Sequence, residues 1–324
     1  MTPMNAMDVC LVTPAPTKSR QGNRITASRW ARLLRKLGRR VVIKQEYCGE
    51  PCDLLIALHA RKSHRSVDRF RRLFPQRPLI VALTGTDLYQ DIRHFAAARR
   101  SLDHASRLVV LQAHGIEELP ANRRAKARVI YQSVEPLPSL PAPLTSVFEI
   151  CVMGHLRPVK DPFRTAAAVR RLPASSRIRV THIGASLSDA MRRNAEKIQA
   201  GNRRYRWLGE LPRWKAMRLL ARSRVLVLTS KMEGGANVVC EALAVGVPVL
   251  STRIGGTLGI LGVDYPGLFP VGDTQALADL LMRVESNPNF LADLRRRCAE
   301  KAELVEPARE LECWRSLLQE LKSA

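Results

Sequence analysis

Residues 230–248 read Ser-Lys-Met-Glu-Gly-Gly-Ala-Asn-Val-Val-Cys-Glu-Ala-Leu-Ala-Val-Gly-Val-Pro. The run follows an apolar, strand-like segment, Val225–Leu228, and opens a helix-like one. Gly234 and Gly235 let a ligand approach the backbone closely. The first free N–H groups of the helix, near Asn237 and Val238, can then hold a phosphate. Glu233 stands in the loop and Glu241 on the helix, eight positions apart. Two carboxylates so placed can each grip a vicinal diol, one on either side of a diphosphate. The same pattern also fits a glycine turn with one surface glutamate and one helix-capping glutamate.

A second stretch, Gly154-His-Leu-Arg157-Pro-Val-Lys160-Asp161-Pro162, follows the apolar run Phe148–Met153. Asp161 and Pro162 suit the N-cap and first position of a helix. Arg157 and Lys160 would then stand at the carboxyl end of a strand, where they can clamp a diphosphate. The alternative is a solvated basic turn.

These residues need a scaffold, and composition bounds it. The chain has 324 residues, which suggests two domains. Hydrophobic residues at 46% and charged residues at 25% exclude disorder as the main state. No run approaches the roughly 20 apolar residues of a membrane span, so no integral membrane association is expected. The N-terminus lacks a basic region followed by an apolar stretch, so a secretory signal is not expected. Seven scattered cysteines fit a reducing cytoplasm better than a disulfide framework. Cys48 and Cys52 have no second pair at zinc spacing, and no metal is expected.

The net charge is +24. Such a chain attracts polyanions and anionic substrates, and nucleic acid has to be considered. The basic residues are spread along the whole chain, and aromatics amount to only 5%, which leaves few bases a stacking partner. Nucleic acid is therefore not expected as a partner.

Apolar strand-like runs alternate with helix-like stretches through both halves. Asp8–Thr13, Val41–Ile43, Leu54–Leu58, Leu79–Leu83, Leu108–Leu111 and Val129–Tyr131 form the first series. Phe148–Met153, Ile178–Ile183, Tyr205–Leu208, Val225–Leu228 and Val247–Leu250 form the second. Such alternation gives parallel βαβ units. Residues 136–147 contain four prolines and read as a linker. The expected architecture is α/β: two Rossmann-like parallel-sheet domains facing a cleft, spanning 1–140 and 141–305. A terminal helix over 306–324, with Trp314, Leu317, Leu318 and Leu321 on one stripe, is expected to pack back on the first domain. Ligands in such sheets bind at the carboxyl ends of the strands.

The two stretches, in this order on two α/β halves, resemble the GT-B glycosyltransferases of family four. That family's pattern is a glycine-rich N-terminal loop, a G-R-L-x-x-x-K segment and E-x7-E. The resemblance implies a nucleotide-sugar donor bound mainly by the C-terminal half, without a metal. On it Glu233 contacts the donor sugar and Glu241 the ribose. Gly235, Asn237 and Val238 serve the phosphates beside Gly234, and Gly154, Arg157 and Lys160 line the leaving diphosphate. Glu210 and Leu211 seat the base through backbone groups, and Gly22 belongs to the N-terminal loop. The implied catalytic set is Lys160, Arg157 and Glu233. Two departures stand out: His155 replaces the usual arginine, and Leu83-Thr84-Gly85-Thr86-Asp87 stands where the family offers His-Gly.

The N-terminal half carries a narrower resemblance. Residues 13–26 (Thr-Pro-Ala-Pro-Thr-Lys-Ser-Arg-Gln-Gly-Asn-Arg-Ile-Thr), Ala57–Ser63, Leu83–Tyr89 and Ile130–Ser133 look like the selenosugar synthases of selenoneine biosynthesis. This implies transfer of a hexose or N-acetylhexosamine from a UDP-sugar to selenophosphate, with pathway enzymes supplying selenophosphate and using the selenosugar. Acceptor-binding candidates are Lys18, Arg20, Asn23, Arg24, His59, Arg61, Thr84 and Asp87, with Lys62 beside them. His59 equally suits a structural place. The other enzyme reading is a family-four glycosyltransferase acting on a lipid or saccharide at a membrane surface.

Overall fold

The computed structural model describes residues 7–17 and 22–322. Lys18 and Arg20 lie outside the described residues. The chain divides into two compact units, Met1–Ser133 with Pro307–Ala324, and Val134–Glu306. The division falls at Ser133/Val134, whereas the proline-rich stretch suggested 140/141. Hydrogen bonding explains the shift: Val134 N–H donates to Val305 O at 2.9 Å inside the second unit, while Ser133 N–H donates to Glu310 in the first.

Unit 1 holds a six-stranded sheet in the order β2-β1-β3-β4-β5-β6. Its strands are β1 (Asp8–Val12), β2 (Arg40–Lys44), β3 (Leu54–Leu58), β4 (Leu79–Leu83), β5 (Arg107–Val110) and β6 (Ala127–Val129). Every pairing is parallel. All residues of β3 and β4 are buried, as expected for strands covered by helices on both faces. The sixth strand ends at Val129, two residues before the expected Tyr131.

Helix Gly22–Lys36 buries Ala27, Trp30, Ala31, Leu33 and Leu34. Gly38, at φ +74°, ends it by turning the chain left-handed, with Arg39 N–H returning to Leu34 O at 3.1 Å. The terminal helix Pro307–Glu320 packs on this helix: Trp30 and Trp314 meet edge to face with centroids 4.8 Å apart. Beneath them Glu310, 1% exposed, accepts from Trp30 Nε1 at 2.7 Å, from Arg29 Nε at 2.9 Å, and from the N–H and hydroxyl of Ser133. Arg29 also donates to Gln132 Oε1, which accepts from Thr26 Oγ1 as well.

Unit 2 repeats the plan in the order β12-β11-β10-β7-β8-β9, again all parallel. The strands are β7 (Phe148–Met153), β8 (Ile178–Ile183), β9 (Tyr205–Trp207), β10 (Val225–Leu228), β11 (Val249–Thr252) and β12 (Leu268–Phe269). The last of these is too short to leave an apolar run in the sequence. Among the described residues no helix is long and apolar enough to cross a membrane.

Removing the carboxylate of Glu310 strands the Arg29 guanidinium in a nearly dry site. Breaking such a pair costs about 3–5 kcal/mol. Glu310→Ala is therefore expected to lower the unfolding free energy of the full chain by that much, with a lower denaturant midpoint, and Glu310→Gln by less. A wild-type midpoint for Glu310→Ala would show that the terminal helix is not held through this carboxylate.

Candidate active site

In unit 2 the strand ends β7 and β10 stand side by side, and their loops are bonded to one another. Lys231 N–H donates to Val159 O at 2.8 Å. Thr229 Oγ1 lies 3.0 Å from the carbonyl of Lys160 and 2.9 Å from that of Asp161. Asp161 sits at φ +44°, in the left-handed region. It does not cap a helix as the Asp-Pro pair suggested. The clasp turns the chain at Asp161, its carboxylate takes Arg164 Nε at 2.7 Å, and the helix begins at Arg164.

This clasp brings Lys160 to Glu233, Nζ to Oε1 at 2.5 Å. Ser230 Oγ donates to the same oxygen at 2.6 Å, and the Ser230 carbonyl accepts from Thr252 Oγ1 at 2.6 Å. Gly256 closes the loop from behind. A Cβ on it would lie 2.0 Å from the Glu233 carbonyl oxygen, so only glycine admits this approach.

Helix Asn237–Ala244 follows at once. Its N-cap, Ala236, offers no side-chain acceptor to the first N–H groups of the helix, those of Asn237 and Val238. Glu241, 6% exposed, lies on this helix and pairs with Arg213, the first residue of helix Arg213–Arg222. Arg213 was not expected. Its only sequence signal is its place directly after the turn Glu210-Leu211-Pro212.

The His155 departure has a local cause. Its Nδ1 accepts the N–H of Ala185 at 3.1 Å, and Leu156 N–H donates to Ala185 O at 2.8 Å. His155 thus ties the loop after β8 to the loop after β7. Gly184, at φ +154°, packs so close that a Cβ would lie 2.0 Å from Gly154 O. Trp207 Nε1 donates to Gly184 O at 2.9 Å, and Gly184 N–H to Gly209 O at 2.8 Å. Between these loops lies a groove of about 560 Å³ walled by Leu187, Asp189, Arg192, Trp207 and Glu210. Arg157 stands exposed at the start of the Pro158–Lys160 turn. Leu211 follows Glu210 at the groove's rim, half-buried.

His182 lies under this floor, fully enclosed. Its Nε2 is 3.1 Å from Gly154 O, which can only accept, so Nε2 carries the proton and Nδ1 accepts from Tyr205 OH at 2.8 Å. Burial pushes its pKa down to about 4.

In unit 1 the candidates gather at the ends of β3 and β4. Asp87 is fully buried. Its Oδ1 accepts from Thr84 N–H and Gly85 N–H at 2.9 and 2.8 Å, and its Oδ2 from Ala60 N–H at 3.0 Å. Asp87 therefore fixes both loops and does not itself face a ligand. His59, 3% exposed and at φ +74°, is likewise enclosed. Nδ1 accepts from Lys62 N–H at 3.3 Å and Nε2 lies 3.1 Å from Thr86 Oγ1. Burial lowers its pKa. His59 thus pins one strand-end loop to the other, the structural place that the sequence equally allowed. Thr84 and Arg61 are half-buried, and Lys62 is exposed. Gly22, Asn23 and Arg24 form the first turn of helix Gly22–Lys36. Among the described residues no group of three or more His, Cys, Asp or Glu is placed to hold a metal ion.

The family Glycosyl transferases group 1 matches residues 144–305, half of the chain and nearly all of unit 2. The chain belongs to the group 1 glycosyl transferases. A stretch of 77 residues is 36% identical to TuaC of Bacillus subtilis (strain 168), named for glycosyl transfer in teichuronic acid biosynthesis. The match spans 24% of this chain and 20% of that protein, so the chain covers about a fifth of that relative's length. Two of the similar solved structures illustrate the shared fold. Sucrose-phosphate synthase of Thermosynechococcus elongatus superposes with a TM-score of 0.77 at 17% identity, covering 98% of this chain and 99% of that one. Anabaena HepE, solved with UDP and glucose, gives 0.73 at 15% identity, with 98% and 100% covered. The fold is GT-B.

The enclosed His182 makes stability depend on pH. Its folded-state pKa lies below the unfolded value of about 6.5, so the unfolded chain binds the extra proton. Stability is expected to fall as pH drops from about 6.5 and to level off near 4, by up to about 3 kcal/mol from this residue. Comparing denaturation of wild type and His182→Gln across that range checks it. Parallel pH curves for the two would count against a neutral, buried His182.

Proposed function

We propose that this group 1 glycosyl transferase moves a hexose or N-acetylhexosamine from a UDP-sugar to selenophosphate. Selenium attacks the anomeric carbon, the bond from that carbon to the diphosphate oxygen breaks, and UDP leaves. Water then cleaves the P–Se bond, giving a 1-selenosugar and phosphate.

The observation that carries the donor half is the Lys160–Glu233 pair beside an uncapped helix start. Without donor, the ammonium and carboxylate satisfy each other. A donor separates their tasks: Lys160, with Arg157, takes the diphosphate, and Glu233 takes hydroxyls of the sugar. The N–H groups of Asn237 and Val238, beside Gly234 and Gly235, meet the phosphates at the positive end of the helix. Glu241, steered by Arg213, takes the ribose, and the groove beside Trp207 and Glu210 takes the base. HepE, with its UDP-bound structures, supports the choice of nucleotide. In this reading the leaving charge is met by cations and the helix end, and no metal is needed.

The acceptor half is supported by what the β4 loop lacks. An alcohol needs a base to remove its proton. Thr84-Gly85-Thr86 supplies none, Asp87 is fully engaged with backbone N–H groups, and His59 is enclosed. Selenophosphate is already an anionic, soft nucleophile and needs no base. The reading includes a cytoplasmic location and pathway enzymes on either side.

Glu241→Ala is expected to raise the donor KM about tenfold or more, since a charge-assisted hydrogen bond is worth about 1.5–3 kcal/mol. Lys160→Ala should chiefly lower kcat, because charge on the diphosphate grows as UDP leaves. Chelation with EDTA should leave the rate unchanged. The decisive measurement is mass spectrometry of the product from UDP-glucose and UDP-N-acetylglucosamine with selenophosphate. A sugar carrying one selenium supports the proposal. UDP release indifferent to selenophosphate, with no selenium in any product, overturns it in favour of a lipid or saccharide acceptor.

A further inference from the structure

Arg61, just beyond β3, is held from two sides. Its Nε lies 3.0 Å from Asp91 Oδ2, and its guanidinium carbon lies over the Phe95 ring, 4.2 Å from the centroid. Asp91 is 4% exposed. Its Oδ2 has no hydrogen bond among the described residues, although a buried carboxylate oxygen needs one. The other basic group near it is His59, with Nε2 at 3.8 Å, and burial disfavours that imidazole's charged form. Arg61 is therefore the cation paired with this carboxylate.

A guanidinium has an Nε edge, two faces and a terminal edge bearing Nη1 and Nη2. Asp91 stands against the first as an ion pair, 3.0 Å from Nε, and Phe95 covers a face. Nη1 and Nη2 donate no hydrogen bond to the described residues, and the side chain is 37% exposed. A planar fork fixed in this way suits bidentate capture of an oxyanion. Asp91 offsets part of the positive charge, so recognition relies on the fork's geometry more than on net attraction. Two further features restore positive potential at the same strand end. Lys62 is exposed next to Arg61. Helix His64–Leu73 begins three residues on with no side-chain cap, because the hydroxyl of its N-cap, Ser63, donates to Leu58 O at 2.6 Å.

We infer that Asp91 and Phe95 are positioning residues that aim the terminal nitrogens of Arg61 at a tetrahedral oxyanion of the phosphate class at the end of β3. This rests on the acceptor reading above and deepens it. It turns one basic residue among several into an anchored fork, and it adds two residues that never touch the ligand. The shared chemistry is a phosphate-type group, either free or as the monoester of a larger acceptor.

Isothermal titration of the full chain with inorganic phosphate at low ionic strength tests this without any turnover. Wild type is expected to bind. Arg61→Lys keeps the charge and loses the fork, and should weaken binding about tenfold or more. Asp91→Asn and Phe95→Leu should each weaken it about three- to tenfold through loss of orientation, with Asp91→Glu partly restoring it. Thermal midpoint and UDP affinity should stay at wild-type values in Phe95→Leu, whose half-exposed ring leaves the core intact. This separates aiming from folding even if Asp91→Asn is unstable. Absence of phosphate binding in wild type, or wild-type affinity in Arg61→Lys or Phe95→Leu, overturns the inference. Titration with glycerol 3-phosphate identifies the source: tighter binding than phosphate assigns a phosphorylated acceptor, weaker binding a free oxyanion. A chain that shows this pattern yet puts no selenium into sugar keeps the oxyanion fork and loses the selenophosphate reading.

Discussion

Parallel strand pairing is the constraint on which the chemistry of this chain rests. Each sheet has six strands and every pairing is parallel, so all carboxyl ends of a sheet share one edge and every βα loop emerges there. In unit 2 this sets the loop after β7 beside the loop after β10, although some 70 residues separate them in sequence. The Thr229 hydroxyl and the Lys231 N–H then tie the two loops together. Lys160 meets Glu233 because the sheet has already chosen their neighbourhood.

Loops at a strand edge are held here by buried polar groups as well as by apolar packing. Asp87 collects three backbone N–H groups from two loops. His59 does similar work with a ring nitrogen on Lys62 N–H, and accepts a left-handed backbone to do so. His182 joins Gly154 to Tyr205 from beneath. Each such group would be costly if left unpaired, so each fixes its loop closely. Glu310 applies the same device to the terminal helix, where one carboxylate gathers Arg29, Trp30 and Ser133. A site that must present charged groups to a charged substrate benefits from this. Loops held by satisfied hydrogen bonds need less reordering when ligand arrives.

The net charge of +24 is misleading at the candidate sites themselves. Lys160, Arg213 and Arg61 each lie against a carboxylate that is largely buried: Glu233, Glu241 and Asp91. The pairs place the cations and keep them from collapsing onto other loops. A polyanion would be drawn to the surface charge at large, whereas a small anion can exploit the placed groups.

The sequence by itself determined the α/β class, the repetition of two parallel sheets, and the glycine loop with its two glutamates and the basic turn. These are local patterns: apolar runs of strand length, a glycine pair before a helix, and charges at fixed spacing. Tertiary structure alone decided which residues those patterns would meet. Arg213 reaches Glu241 because the helices carrying them lie side by side, and Asp91 reaches Arg61 because β3 and β4 are neighbours. Asp161 gave up its capping place because Thr229, from another strand, bonds the turn. His59 is enclosed because its ring lies between its own segment, at Lys62 N–H, and the β4 loop, at Thr86. Spacing along the chain tells what a residue can offer. Its partner, and hence its ionisation and its access to ligand, is set by strands and helices far away in sequence.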